Sequence, residues 1–174
     1  MIYFISGPPG AGKTSLCQAL LARVEFGLHI PVDDLRLWVT SGLSESIPWT
    51  DETERQFQLA ERSACAVART YAEAGFVVAI DHCRSPKRLE SLIQSELPHL
   101  EVRKVLLLPN LDVNLDRNHN RTNKDFDPSI LDETIRSCNA SYRNAIPEGW
   151  QVIDNSAIAI GNTIQLLESR PVSP

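Results

Sequence analysis

The feature that most constrains this chain is the run Gly7-Pro8-Pro9-Gly10-Ala11-Gly12-Lys13-Thr14, which meets the GxxxxGK[ST] pattern at every fixed position. It follows the apolar run Ile2 to Ile5 directly, and Leu16, Ala19, Leu20 and Ala22 to Val24 supply the apolar spacing of a helix after it. That setting matters as much as the letters. A strand must end and a helix begin so that the loop's backbone N–H groups point at phosphate oxygens, with the positive end of the helix dipole behind them. The candidate nucleotide-binding residues are therefore Gly7, Pro8, Pro9, Gly10, Ala11, Gly12, Lys13, Thr14 and Ser15. Lys13 would reach the β- and γ-phosphates, and the Thr14 hydroxyl would sit on Mg²⁺.

The chain has 174 residues, which predicts one domain over about 1–170 with a disordered tail at 171–174. That length buries a core without disulfides or structural metal. A net charge of -5 argues against a protein that coats nucleic acid, whose affinity comes from neutralising phosphates. Cys17, Cys65, Cys83 and Cys138 show no CxxC and no zinc spacing, so they read as reduced thiols. The start of the chain runs straight into a strand pattern without a charged and apolar leader, and no apolar run approaches ~18 residues. A cytoplasmic protein with no membrane association is expected, and no obligate protein partner is inferable.

Strand and helix patterns alternate along the chain. Gly27 to Val32 reads as a second strand ending at Asp33-Asp34, with a helix from Leu35; Asp33 at a strand end lies where open α/β sheets bind ligands, or else caps the helix. Thr40 to Thr50 is a Ser/Gly/Pro-rich loop flanked by Trp38 and Trp49. Asp51 to Gly75 reads as a long scaffold helix with Phe57, Leu59, Ala60, Ala64, Val67, Ala68 and Tyr71 on its apolar side. Phe76 to Ile80 is a buried-strand run ending at Asp81, a carboxylate able to hold Mg²⁺ or, alternatively, a buried hydrogen-bonding group; His82 after it is assigned no role. Ser85 caps and Pro86 opens the next helix. After a strand at Val102 to Leu108, the segment 116–127 has the charge pattern of a lid carrying Arg117 and Arg121, or of a solvated loop. A helix over Pro128 to Ala145, a strand over Trp150 to Ile153 and a helix over Ile158 to Ser169 complete the chain.

Five strands alternating with helices predict an α/β P-loop NTPase fold, a five-stranded parallel sheet covered by helices on both faces, with an Arg-bearing lid. Several chemistries use that fold. A GTPase is excluded because Asn123-Lys124 lacks the NKxD spacing and Asp81 is not followed by a DxxG glycine. A ring-type ATPase is disfavoured because His82 stands where a water-activating Glu would follow the strand-end acid. A small kinase needs Lys and Mg²⁺ on the phosphates, a carboxylate on the acceptor hydroxyl and cations on the transferring phosphoryl group. Lys13, Asp33, Arg36 and the lid arginines supply candidates for each.

Asp33-Asp34-Leu35-Arg36, the Val77 to Asp81 strand with Ser85-Pro86-Lys87-Arg88-Leu89, and Arg117-Asn118-x-x-Arg121 together resemble the polynucleotide kinase-like group of small P-loop kinases, which takes in the zeta toxins and the chloramphenicol phosphotransferase-like proteins. The resemblance implies ATP and Mg²⁺ as cofactors, Asp33 as general base, Arg36 on an acceptor phosphate, Arg121 as the lid arginine at the transition state, Asp81 near the acceptor site and Arg117 as a secondary contact. It also implies adenine over guanine, with Asn155 and Ser156 as base neighbours. The implied reaction moves the γ-phosphoryl of ATP to a hydroxyl of a small molecule or a nucleotide. The alternatives are a nucleic-acid 5′-hydroxyl acceptor and a nucleotide-binding or regulatory ATPase with no acceptor at all.

Overall fold

The computed structural model describes residues 1–121, 127–144 and 146–169. Its centre is β1 (Ile2–Ser6), every residue of which is buried. Alternation along β1 divides the core. Ile2 and Phe4 face a cluster with Ala60, Ala64, Leu89, Ile93 and Tyr142, while Tyr3 and Ile5 face one with Leu16, Leu20, Ile164 and Leu167. A strand apolar on both faces requires helices on both sides of the sheet, and these are the two layers.

The sheet is five-stranded in the order β2-β3-β1-β4-β5, formed by β2 (Gly27–Pro31), β3 (Val77–His82), β1, β4 (Val102–Leu107) and β5 (Trp150–Ile153). Each neighbouring pair is parallel. The predicted α/β architecture is thus present. One face carries α1 (Lys13–Leu21) and α7 (Ile160–Glu168); the other carries α3 (Asp51–Glu73), α4 (Pro86–Glu96) and α6 (Asp132–Asn144). Between them in sequence lie the short α2 (Val32–Arg36) and α5 (Leu111–His119).

Register brings distant residues to the C-terminal edge of the sheet. Ile5 pairs with Asp81 and Ser6 with His82 across β1 and β3, while Pro31 pairs with Asp81 across β2 and β3. The chain leaves β1 for β2 by passing over β3, so the loop after β1 opens into a crevice at a topological switch point.

Four local expectations are corrected. The helix after β2 begins at Val32, not Leu35, so Asp33 sits in its first turn with Pro31 as the N-cap. On α3, Leu59, Val67 and Tyr71 are exposed; the buried stripe is Phe57, Ala60, Glu61, Ala64, Cys65 and Ala68, whose small residues let the helix lie close to the sheet. The helix expected from Pro128 opens as a 3₁₀ turn at Pro128–Leu131 before α6 begins, and α7 starts at Ile160. The ends of α3 and α4 follow local chemistry. Thr50 and Thr53 cap α3 reciprocally, and the Ser85 hydroxyl accepts from Arg88 N–H ahead of Pro86. Residues 122–126 of the expected lid and the expected tail lie outside the described residues. Among the described residues no helix is long and apolar enough to cross a membrane.

Candidate active site

The loop between β1 and α1 has the backbone its sequence demands. Gly10 has φ 77° and Gly12, the N-cap of α1, has φ 90°. A Cβ on Gly10 would come within 2.9 Å of both Asn114 Nδ2 and the Asn114 carbonyl, so only glycine fits there. Two asparagines pin the loop from outside: Asn114 Nδ2 donates to Pro9 O at 2.5 Å, and Asn155 Nδ2 donates to Ala11 O at 2.9 Å. Inside it, Lys13 Nζ donates to the carbonyls of Gly7 and Pro8 at 2.9 and 3.0 Å.

The first turn of α1 brings the Thr14 hydroxyl to 3.2 Å from Asp81 Oδ2 at the end of β3. A hydroxyl and a carboxylate are the hard oxygen donors that suit Mg²⁺, so the residues present fit that ion. His29 Nε2 on β2 lies 2.6 Å from the same carboxylate oxygen, and Cys17 Sγ completes a group with all ligand atoms within 4.8 Å. The Cys17 thiol is fully buried, and burial first, then the Asp81 carboxylate, push its pKa up, which keeps it protonated.

Lys13, Thr14, Ser15, Asp33, Arg36, Asp81, Arg117 and Arg121 all line one cleft of about 1430 Å³ over the C-terminal edge of the sheet. Asp33 projects into it with its side chain 57% exposed. The three candidate arginines are placed differently. Arg36 is buried and donates to Ser44 O at 2.5 Å and Ser46 Oγ at 2.7 Å, its guanidinium 4.6 Å over the Phe57 ring, so it ties down the 40–50 loop. Arg117 donates to the Asn155 carbonyl at 2.8 Å. Arg121 donates to Asn118 Oδ1 at 3.3 Å and lines the same cleft as Asp33; burial lowers its pKa, and the Asp33 carboxylate acts against that. Arg84 and the neighbouring Arg88 are paired with carboxylates.

That last pairing belongs to a network that sequence reasoning missed. Glu61, on the helix read as scaffold, is 2% exposed and accepts from His82 Nε2 at 3.1 Å, Arg84 Nε at 3.0 Å and Arg88 Nη2 at 3.1 Å. Glu54, two turns earlier, takes Arg84 Nη2 and Arg88 Nη2, each at 2.9 Å. Burial opposes ionisation of Glu61, but the His82 and Arg88 hydrogen bonds outweigh it and hold its pKa at about 2. Burial likewise opposes protonation of His82, and its contacts with Asp33 and Glu61 outweigh it, raising its pKa. The signal for Glu61 was present: an acid in step with Phe57, Ala60, Ala64 and Ala68 on the buried stripe.

No curated protein matches the chain by sequence. Among solved structures it is similar to the tunicamycin resistance protein of Deinococcus radiodurans, at 18% identity over 99% of this chain and 98% of that one, with a TM-score of 0.67. A sugar kinase from Janibacter sp. HTCC2649 superposes with a TM-score of 0.67 at 16% identity, covering 95% of this chain and 90% of that one. A gluconokinase from Sinorhizobium meliloti 1021 gives 0.65 at 19% identity, over 95% and 87%. At those identities the likeness establishes the P-loop kinase-like fold. The family model described as chloramphenicol phosphotransferase-like protein matches residues 1–155, in agreement with the resemblance carried by the sequence motifs. The chain belongs to the chloramphenicol phosphotransferase-like family.

Proposed function

We propose that this protein transfers the γ-phosphoryl group of ATP to a hydroxyl of a small, uncharged acceptor. The observation that carries the reading is an exposed carboxylate, Asp33, in the same cleft as the phosphate-binding loop and Arg121. Lys13 takes the β- and γ-phosphates, and Thr14 and Asp81 hold Mg²⁺, which neutralises charge on the phosphates when bound. Asp33 orients the acceptor hydroxyl and receives its proton. Arg121 stabilises the transferring phosphoryl group, Arg117 gives it secondary support, and Arg36 keeps the acceptor-side loop against Phe57.

The acceptor wall supports an uncharged molecule. Arg84 and Arg88 are neutralised by Glu54 and Glu61, and both terminal nitrogens of Arg36 are taken by Ser44 and Ser46. A phosphate-bearing acceptor would have to break these pairs, whereas the apolar surfaces of Ile47, Trp49, Ile130 and Leu131 line the cleft beside them. Family membership supports phosphoryl transfer and makes chloramphenicol the first acceptor to try.

The test is γ-labelled ATP with Mg²⁺, offered with chloramphenicol and other neutral alcohols and, separately, with a 5′-hydroxyl oligonucleotide. Label on a neutral alcohol, lost in Asp33→Asn with ATP binding retained, is the expected result. Label on the oligonucleotide alone overturns the acceptor class, and full transfer by Asp33→Asn removes that residue from the chemistry.

A further inference from the structure

His82, on the wall of the cleft, and Glu61 behind it are ionisable groups with side chains 1% and 3% exposed. An apolar pair would fill that space at lower cost, since a buried ionisable group gives up hydration that only complete hydrogen bonds replace. For Glu61 they are complete, with three donors on its two oxygens. For His82 they are not. Its Nδ1 is buried without a partner at hydrogen-bond geometry, and Asp33 Oδ1 lies 3.5 Å away. A histidine kept only for packing would be expected to find a backbone carbonyl for that nitrogen.

We propose that His82 is a positioning residue for Asp33: its Nδ1–H draws Asp33 Oδ1 inward and, anchored through Nε2 to Glu61, sets the angle at which the carboxylate meets the acceptor hydroxyl. This rests on the reading of Asp33 given above. Glu61 is an acceptor only, so His82 presents Nε2–H to it, and the Asp33 carboxylate calls for a second N–H at Nδ1. The imidazole keeps both protons and moves none.

Three features make the anchor stiff. The ring stacks on Phe57, with centroids 5.8 Å apart, and Phe57 stacks on Trp49 at 5.0 Å. Arg84 and Arg88 hold Glu61 and are themselves braced by Glu54. Strand register then delivers the contact, because Pro31 opposite Asp81 places the first turn of α2 beside His82. Asp33 gains from such an anchor. It projects from a five-residue helix with more than half of its side chain in solvent, and catalytic hydrogen bonds that are long before substrate binds tighten in the reacting complex.

The experiment has a spectroscopic arm and a kinetic arm. With ¹⁵N-labelled histidine, His82 should show both ring nitrogens protonated, and Asp33→Asn should shift its Nδ1 resonance with little change at Nε2. A His82 with one bare nitrogen, or an Nδ1 signal blind to Asp33→Asn, overturns the proposal. The kinetic probe is hydrolysis of MgATP, with water standing for the acceptor hydroxyl. His82→Gln keeps an amide for Glu61 but none for Asp33, and should lower kcat on the order of 10²-fold with KM for ATP unchanged. His82→Asn puts its amide where Nδ1 stood and should recover most of that loss, and Asp33→Asn/His82→Gln should be no slower than Asp33→Asn alone. Full kcat in His82→Gln beside an inactive Asp33→Asn overturns this proposal and leaves the Asp33 reading standing; so do equal losses in His82→Gln and His82→Asn that track their melting temperatures. An Asp33→Asn variant hydrolysing at the unaltered rate overturns the Asp33 reading, and this proposal with it.

Discussion

Thr14 Oγ1 lies 3.2 Å from Asp81 Oδ2 across 67 positions of sequence. The contact exists because β1 and β3 are parallel neighbours with Ile5 opposite Asp81, so the helix that starts after β1 opens over the end of β3. His29, from the edge strand, reaches the same oxygen at 2.6 Å. One carboxylate thus serves two strands and the first turn of α1.

Asp81→Asn replaces one of the two carboxylate oxygens with an amide that cannot bind a cation. Mg²⁺-dependent affinity for ATP should fall by about 10- to 100-fold, while affinity without Mg²⁺ changes little. Calorimetric titration with ATP, in Mg²⁺ and in a chelator, separates the two. Equal losses in both conditions would remove Asp81 from the metal site.

Arg121→Ala removes a cation that lines the cleft together with Asp33. Arginines at a transferring phosphoryl group contribute on the order of 10³-fold or more to kcat. A loss of that size with nearly unchanged ATP affinity is expected in a turnover assay. If instead the affinity falls and the rate does not, Arg121 is a nucleotide-binding residue only.

The Glu61 carboxylate has its pKa held at about 2 in the folded protein, below its usual value. A depressed carboxylate contributes stability above its unfolded pKa and loses it as pH falls through the folded one. The protein should therefore lose stability between about pH 4.3 and about pH 2, a window set by those two pKa values. Glu61→Gln should be less stable at neutral pH, because His82, Arg84 and Arg88 lose a charged acceptor, yet show a shallower decline of melting temperature with acid. Parallel declines in the two proteins would contradict this assignment.

Thr50 caps α3 through its hydroxyl, which accepts from Thr53 N–H, and the Thr53 hydroxyl accepts in turn from Thr50 N–H. Thr50→Ala should cost about 1 kcal/mol. For a chain of this size that corresponds to a melting temperature lower by roughly 2–4 °C. Differential scanning calorimetry reads it directly, and Thr50→Ser should recover most of the loss.

Much of this molecule was legible along the chain. Gly7 to Thr14 announced a strand, a tight loop and a helix, because the pattern fixes a glycine at Gly12, whose positive φ other residues rarely adopt. The apolar run of β1 required cover on both faces, which with alternating helices means a parallel sheet. Local chemistry also foretold Ser85 and Pro86 at the head of α4. These are properties of neighbouring residues, and neighbours in sequence suffice to state them.

What only the tertiary structure decided is which distant side chains meet around the phosphate loop and its cleft. Arg36, expected on an acceptor phosphate, is buried against Phe57 and holds the 40–50 loop. His82 read as a residue without a role and joins Asp33 to Glu61, while Asn114 and Asn155 hold the phosphate loop from two other elements. None of these pairs is closer than 21 positions in sequence except Arg36 with its loop. Strand order and register create such contacts, and a buried charge declares its partner only once the surrounding helices have excluded water from it.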